Sequence, residues 1–160
     1  MKGIDYLEHK DLGYFIIKEE RDGISSVTLT DKKPEIFIIK SPETEKCQKQ
    51  LQEYFEGKRK TFDLKLDLQG SDFRKKVWNE LLKIPYGETI SYGEQAKRIG
   101  NPKAARAVGQ ANGDNPILII IPCHRVIGKK GTMNGFSSCR GIKTKEYLLE
   151  LEKITYKGEN

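Results

Sequence analysis

The hydrophobic positions of the first forty residues come in short runs that favour strands. Tyr14 to Ile17 and Ile24 to Leu29 flank the turn-forming pair Asp22-Gly23, and Ile36 to Ile39 follows Lys33-Pro34. A small antiparallel sheet is expected there. From 43 to 57 the spacing becomes helical, with Cys47, Leu51, Tyr54 and Phe55 on one side and Gly57 closing the segment. Cys47 reads as a core residue of that helix. Residues Lys58 to Gly70 are polar except for an alternation of Phe62, Leu64, Leu66 and Leu68, which marks a linker or an extended crossing segment. A domain boundary is placed near residue 70.

Beyond the boundary the helical period dominates. Ser71 caps a helix in which Phe73, Val77 and Leu81 recur every four residues with Trp78 flanking, and Pro85-Tyr86-Gly87 ends it. Ser91-Tyr92-Gly93-Glu94 reads as a capping box opening a short helix to Ile99. Gly100 stops that helix, Asn101 caps the next and Pro102 takes its first position, with an end at about Asn112. Two short helices across a tight turn form the layout of a helix-turn-helix. The second is built on Ala104, Ala105, Ala107, Gly109 and Ala111, so it suits either tight core packing or a shallow nucleic-acid groove. Ile117 to Ile121 reads as a buried strand delivering Pro122-Cys123-His124-Arg125 at its end. Ile142 to Lys153 is a final helix, with Leu148, Leu149 and Glu152 on one face. The fold class is therefore α/β in the α+β sense: an N-terminal antiparallel sheet with a helix over 1–70, then a mostly helical domain with a helix-turn-helix over 71–160.

Composition narrows the function classes. A 160-residue chain with 36% hydrophobic residues can bury a real core. No run of eighteen apolar residues occurs, and Met1-Lys2-Gly3-Ile4-Asp5 lacks the apolar stretch of a secretory signal, so a soluble intracellular, cytoplasmic protein without a membrane partner is expected. Three cysteines, Cys47, Cys123 and Cys139, make an odd count that points to reduced thiols rather than a disulfide scaffold. With His9 and His124 the only histidines and no Cys-x-x-Cys pair, no metal site is expected. Residues 97 to 153 hold 11 Lys and Arg against 4 Asp and Glu, while the remainder holds 18 against 19. The whole net charge of +6 thus sits in one segment, which favours a polyanionic partner.

A buried cysteine is more often a small hydrophobe than a nucleophile, so its neighbours decide. A free thiol, with a pKa of about 8.5, needs a base near neutral pH, and His124 is adjacent. Neighbouring side chains on an extended strand face opposite ways, which favours a water between Cys123 and His124 unless the backbone turns.

Here the residues reach a family. Ile121-Pro122-Cys123-His124-Arg125-Val126 resembles the active-site signature of the O6-alkylguanine-DNA alkyltransferases. Ile84-Pro85-Tyr86-Gly87-Glu88-Thr89-Ile90-Ser91-Tyr92 and Asn101-Pro102-Lys103-Ala104-Ala105-Arg106-Ala107-Val108-Gly109 resemble its upstream segments, in order and at matching separations. The similarity spans roughly 71 to 153. It implies direct-reversal repair of DNA, with the alkyl group of guanine O6 (thymine O4 being an open alternative) moved irreversibly to the protein in a single turnover without a cofactor. Cys123 matches the acceptor, His124 the base acting through a water, and Glu152 the acid that orients it. Asn115 matches a hinge asparagine bracing the helix-turn-helix against the active-site strand. Tyr92 matches the side chain that crowds the 3′ phosphate, and it is a candidate for assisting proton donation to the leaving base.

The same resemblance implies that Arg106 enters the duplex in place of an extruded base. Gly93, Asn101, Ala104, Ala105 and Lys129 match further DNA contacts, and the small residues of the second helix fit a minor groove read without sequence preference. Met133, Phe136, Ser137 and Ser138 match the walls of the guanine pocket. Departures occur there: Phe136 stands where Tyr is common, Ser138 replaces a glycine, and Cys139-Arg140 look inserted, which puts the tolerance for bulky adducts in question. Cys139 itself is read as a bystander. Residues 1 to 70 correspond to the family's ribonuclease-H-like domain in length and strand-helix order alone, and they lack the ligands for its occasional zinc. The implied partner is double-stranded DNA bound by a monomer. Two rivals fare worse: a non-reacting lesion sensor would lack Cys123, and a Cys-His hydrolase leaves the helix-turn-helix unexplained.

Overall fold

The structure, a computed structural model, describes residues 1–128 and 141–154. It divides into two compact units, Met1–Gln69 with Pro116–Leu118, and Gly70–Asn115 with Ile119–Asn160.

The first unit is built on an antiparallel meander of β1 (Gly3–His9), β2 (Gly13–Glu20) and β3 (Gly23–Thr30), in the order β1-β2-β3. Phe15 and Ile17 alternate into the core from β2. On β3 both Ile24 and Val27 are buried although three apart, because the register shifts at Lys18/Glu19 and resets the inward face by one residue. α1 (Pro42–Phe55) begins with a reciprocal cap in which Ser41 and Thr44 each accept the other's backbone N–H. Thr44, Cys47, Leu51 and Tyr54 are its fully buried residues, at the spacing of one helical face. Gly57, at φ +74°, ends it as expected.

One expectation falls here, one strand is added and one alternative is decided. β1 was not foreseen, since its mixed sequence Gly-Ile-Asp-Tyr-Leu-Glu-His hides its alternation, yet it pairs with β2 along its whole length. Ile36 to Ile39 is not a strand: Ile39 alone exchanges backbone hydrogen bonds with Ile4, and Phe37 stays 89% exposed. Without a partner along the run, strand propensity alone cannot hold it. The 58–70 segment is the extended crossing kind, with Leu66 bridged to Ile24 through hydrogen bonds of 2.8 Å on either side.

The second unit packs α2 (Asp72–Leu81), α3 (Tyr92–Arg98) and α4 (Ala105–Gly113) against one another. Ser71 caps α2, and Trp78, buried, donates its indole N–H to the Ala111 carbonyl at 2.9 Å. A two-residue strand β4 (Ile90–Ser91) runs parallel to β5 (Val126–Ile127), and α5 (Ile142–Leu151) packs Leu149 with Ile127. Ser91 caps α3 by accepting from the Glu94 N–H, but the Glu94 carboxylate takes Arg98 rather than closing the box.

Gly100, at φ +80°, ends α3: its N–H reaches the Lys97 carbonyl and the Asn101 N–H reaches that of Ala96. Asn101 belongs to that ending and to the turn after it, where its carbonyl accepts from the Ala104 N–H, so it lies too early to cap α4. The following turn carries the chain to Ala105, three residues later than expected, and Ala104 caps without a side-chain bond.

Ile117 to Ile121 also departs from expectation. All five residues are buried, but the run is not a strand, because Ile119 adopts φ +72° and breaks the extended path. A β-branched residue in that region is strained. An apolar run predicts burial; it does not fix the backbone that achieves it.

Candidate active site

The strained approach ends in a sharp turn made by proline. Pro122 lies at φ −82° and ψ 63°, and the Cys123 N–H closes back on the Ile121 carbonyl at 2.8 Å, an inverse γ-turn. Proline suits the site because its ring fixes φ and it has no N–H to satisfy. Cys123–Arg125 then form one turn of 3-10 helix, so Cys123 and His124 are not on an extended strand and the expected opposition of their side chains does not hold. Asn115, just past the end of α4, fastens this turn. Both its neighbours are acceptors, so its amide N–H groups donate to the Ile121 carbonyl at 2.7 Å and to Cys123 Sγ at 3.2 Å. A hydrogen aimed at the sulfur favours the thiolate over the thiol.

Cys123 and His124 are fully buried and Glu152 nearly so. His124 Nε2 and Glu152 Oε2 are 2.6 Å apart. With a carboxylate on that side, the imidazole proton sits on Nε2 and donates, which leaves Nδ1 as the acceptor. Nδ1 is the single buried side-chain polar atom without a hydrogen-bond partner among the described residues. Burial lowers the His124 pKa below its ordinary 6.5, against the raising effect of Glu152, with Arg125 and Lys145 lowering it further. The imidazole therefore rests neutral.

Glu152 is the C-cap of α5, and its carboxylate is gripped from several sides. Oε1 accepts from Arg125 Nε at 2.9 Å and from the Gly87 N–H at 3.1 Å; Oε2 accepts from Arg125 Nη2 at 3.1 Å as well as His124. Burial opposes its charge, but the His124 and Arg125 contacts outweigh burial and hold the carboxyl well below the usual carboxylate range. Arg125 Nη1 also donates to the Ile84 carbonyl at 2.7 Å.

The structure thus brings Asn115, Cys123, His124 and Glu152 into one cluster. Tyr92, the first residue of α3, has its ring 5.9 Å from the ammonium of Lys145. On α4, Val108, Ala111 and Asn112 face inward, and Asn112 and Gln95 of α3 exchange two buried side-chain bonds of 2.8 Å. Arg106, Ala107 and Gln110 are exposed, Ala104 and Ala105 half-buried, and Asn101 exposed. The ring of Tyr92 lies 3.9 Å from where a side chain at Gly109 would begin, an ordinary contact distance between the two helices. Gly93 is half-buried. Lys129, Met133, Phe136, Ser137, Ser138 and Cys139 lie outside the described residues.

Two residues escaped the sequence reading. Arg125 stood in the quoted signature without a role, although an arginine beside a buried acid is the natural partner for it. Lys145 is fully buried and donates to the Val126 carbonyl at 2.6 Å. Its spacing of seven from Glu152 placed it on the same face of α5, but lysine is read as exposed by default. Among the described residues no group of three or more His, Cys, Asp or Glu could hold a metal, and no helix is long and apolar enough to cross a membrane.

Comparison with known proteins adds the following. The family model for the 6-O-methylguanine DNA methyltransferase DNA-binding domain matches residues 72–154, and that for the ribonuclease-like domain of the same methyltransferases matches residues 7–68. The chain is 46% identical over 146 residues to a methylated-DNA–protein-cysteine methyltransferase of Methanosarcina acetivorans, covering 88% of this chain and 92% of that protein. It resembles the crystal structure of the Mycobacterium tuberculosis O6-methylguanine methyltransferase at 42% identity with a TM-score of 0.82, over 94% of this chain and 92% of that one. A crystal structure of the protein from that organism in complex with DNA matches at 44% identity and a TM-score of 0.81, over 92% of this chain and 91% of that one.

Proposed function

The chain belongs to the 6-O-methylguanine DNA methyltransferase family, and on that premise we propose that it repairs DNA by taking the alkyl group from guanine O6 onto Cys123, once per molecule. One observation carries this reading: the turn that presents Cys123 also leaves Nδ1 of a neutral, Glu152-bound His124 as a buried acceptor with no partner of its own among the described residues.

The chemistry balances as a displacement. Cys123 sulfur forms a bond to the alkyl carbon as the carbon–O6 bond breaks, and that bonding pair leaves with the guanine. The thiol proton passes through a water to His124 Nδ1 while the Nε2–H stays on its nitrogen, hydrogen-bonded to Glu152. The departing guanine anion takes up one proton from solvent, with Tyr92 or a backbone group assisting, and the imidazolium later returns its own to solvent. A neutral guanine and a thioether result. General-base assistance of this kind is worth about 10²–10⁴ in rate. Asn115 contributes by donating to the sulfur and by holding the Ile121 carbonyl, so the nucleophile is both stabilised and aimed. No group in this scheme removes the alkyl from sulfur, so the protein is consumed.

Double-stranded DNA is the partner, approached through its minor groove by α4, with Arg106 filling the space of the extruded nucleotide and Tyr92, Gly93, Asn101, Ala104, Ala105 and Lys129 lining the contact. The small residues around Arg106, with Ala107 exposed and Ala104 and Ala105 half-buried, support that docking, because a narrow groove excludes bulk. Extrusion costs a few kcal/mol, least for a damaged pair. Met133, Phe136, Ser137 and Ser138 wall the guanine pocket. Residues 71–160 hold the chemistry and residues 1–70 support them; the protein works as a cytoplasmic monomer, away from membranes and without a metal.

The test is the mass of the protein after incubation with a duplex containing O6-methylguanine. One added methyl is expected, on the tryptic peptide ending at Arg125 that holds Cys123. A methyl on the peptides of Cys47 or Cys139, or turnover beyond one per molecule, would sink the reading.

A further inference from the structure

Arg125 is more than a counter-ion for a buried acid. Its guanidinium reaches both oxygens of Glu152, at 2.9 and 3.1 Å, while a third nitrogen is anchored on the Ile84 carbonyl at 2.7 Å and the face of Tyr86 lies 5.7 Å away. The anchor precedes by three residues the Gly87 N–H that also binds Glu152, so the loop holding the guanidinium holds the carboxylate too. A planar fork on a carboxylate fixes its plane, which a point charge does not.

The consequence falls on His124. A buried imidazole against an undivided negative charge would draw a proton and rest as imidazolium, useless as an acceptor. If Cys123 is the acceptor, as the proposed function has it, the base beside it must stay ready. We infer that Arg125 is a positioning residue for the transfer reaction: by taking a share of both Glu152 oxygens it aims that carboxylate at His124 Nε2 while leaving His124 neutral, with Nδ1 open to the Cys123 proton. The charged groups facing His124 are Glu152 and Lys145 from α5 and Arg125 from its own turn. Of these, Arg125 binds the carboxylate through two nitrogens. Lys145 donates to the Val126 carbonyl.

The measurement is the pH dependence of single-turnover methyl transfer to Cys123, for the whole protein and for Arg125→Lys and Arg125→Gln. The rate falls on the acid side as His124 is protonated. That limb should lie at lowest pH in the wild type, higher in Arg125→Lys, which keeps a charge but cannot fork, and highest in Arg125→Gln. Each unit of displacement is about a tenfold loss of rate on the acid side. A merely structural arginine would lower the rate uniformly and leave the limb in place, and that result overturns the inference. Should the Gln variant not fold, the Lys variant decides: a limb above the wild type's supports the role, and a coincident limb ends it. If the wild type itself placed no methyl on Cys123, the proposed function would fail first, independently of the arginine.

Discussion

Among the described residues two cysteines are completely buried, one in each unit, and their surroundings have nothing in common. Cys47 lies on the inner face of α1 with Thr44, Leu51 and Tyr54, where burial, with a smaller contribution from the Glu43 charge, pushes its thiol up to about 12. It is an inert packing residue. Cys123 is just as hidden but receives an amide hydrogen from Asn115 and is followed by His124, Arg125 and, from α5, Glu152, each under a tenth exposed. Burial by itself silences a thiol. Reactivity needs polar groups buried with it, and keeping those groups in the interior costs stability that the apolar core elsewhere must offset.

Replacing each sulfur in turn breaks that comparison most sharply. Cys123→Ala should abolish transfer entirely while binding to a methylguanine duplex persists, measured by label on the protein and by a gel-shift titration. Cys47→Ala should leave the transfer rate unchanged and cost about 1 kcal/mol, read from the urea midpoint, as expected for a small core truncation. Retained transfer in the first variant, or lost transfer in a folded second, would show that the two sites were assigned the wrong way round.

Acid separates the units by a smaller margin. The two histidines are likewise divided between them: burial holds both His9 and His124 below 6.5, with Asp11 pulling the half-exposed His9 back up. For a base whose folded pKa is depressed, the unfolded chain binds the proton first, so stability falls as pH drops below about 6.5. Glu152 has a depressed folded pKa too, and for an acid this means stability present above 4.5 and lost below it. Both slopes point the same way, each at most about 1.4 kcal/mol per pH unit. His124→Gln should remove most of the loss seen between 6.5 and 4.5, and His9→Gln little of it. Urea midpoints measured across that range check the division, and equal effects of the two variants would contradict it.

Much of the site was legible in the sequence because its parts are local. Pro122-Cys123-His124-Arg125 is contiguous, Ser71 and Ser91 announce their helices, and Gly100 marks the end of α3. What escaped was set by tertiary partners. β1 needed β2 to be a strand, and Ile36 to Ile39 had only Ile4 to pair with. The apolar run at 117–121 was broken by a left-handed Ile119 that no propensity favours, and a turn rather than a strand brought Cys123 to the cluster. The roles of Arg125 and Lys145 were invisible for the same reason. A buried cation is a poor guess until the acid or carbonyl that holds it is seen.

The finest comparison lies in how α1 and α5 end. Both close with the same paired bonds: Gly57 and Lys58 reach back to Tyr54 and Glu53, while Lys153 and Ile154 reach back to Glu150 and Leu149. The residue at the turning point sits at φ +74° in the first case, where glycine is at ease, and at φ +61° in the second, where lysine is not. The strained ending is the one that places Glu152, and the packing of Ile154 on Leu149 helps to hold it. Lys153→Gly should therefore stabilise by about 0.5 kcal/mol, the relief of strain being partly offset by a freer unfolded chain, with the transfer rate unchanged. Lys153→Val, whose branched side chain resists that backbone, should lower stability and slow transfer by shifting Glu152. Gly57→Ala should cost about 1 kcal/mol, since nothing lies within 4 Å of the added carbon and only the backbone objects, and it should leave transfer untouched. Thermal melts and single-turnover rates on the three variants separate these outcomes. A Val variant that transfers at the wild-type rate would mean that Glu152 is held by its hydrogen bonds alone, with the helix ending contributing nothing to its aim.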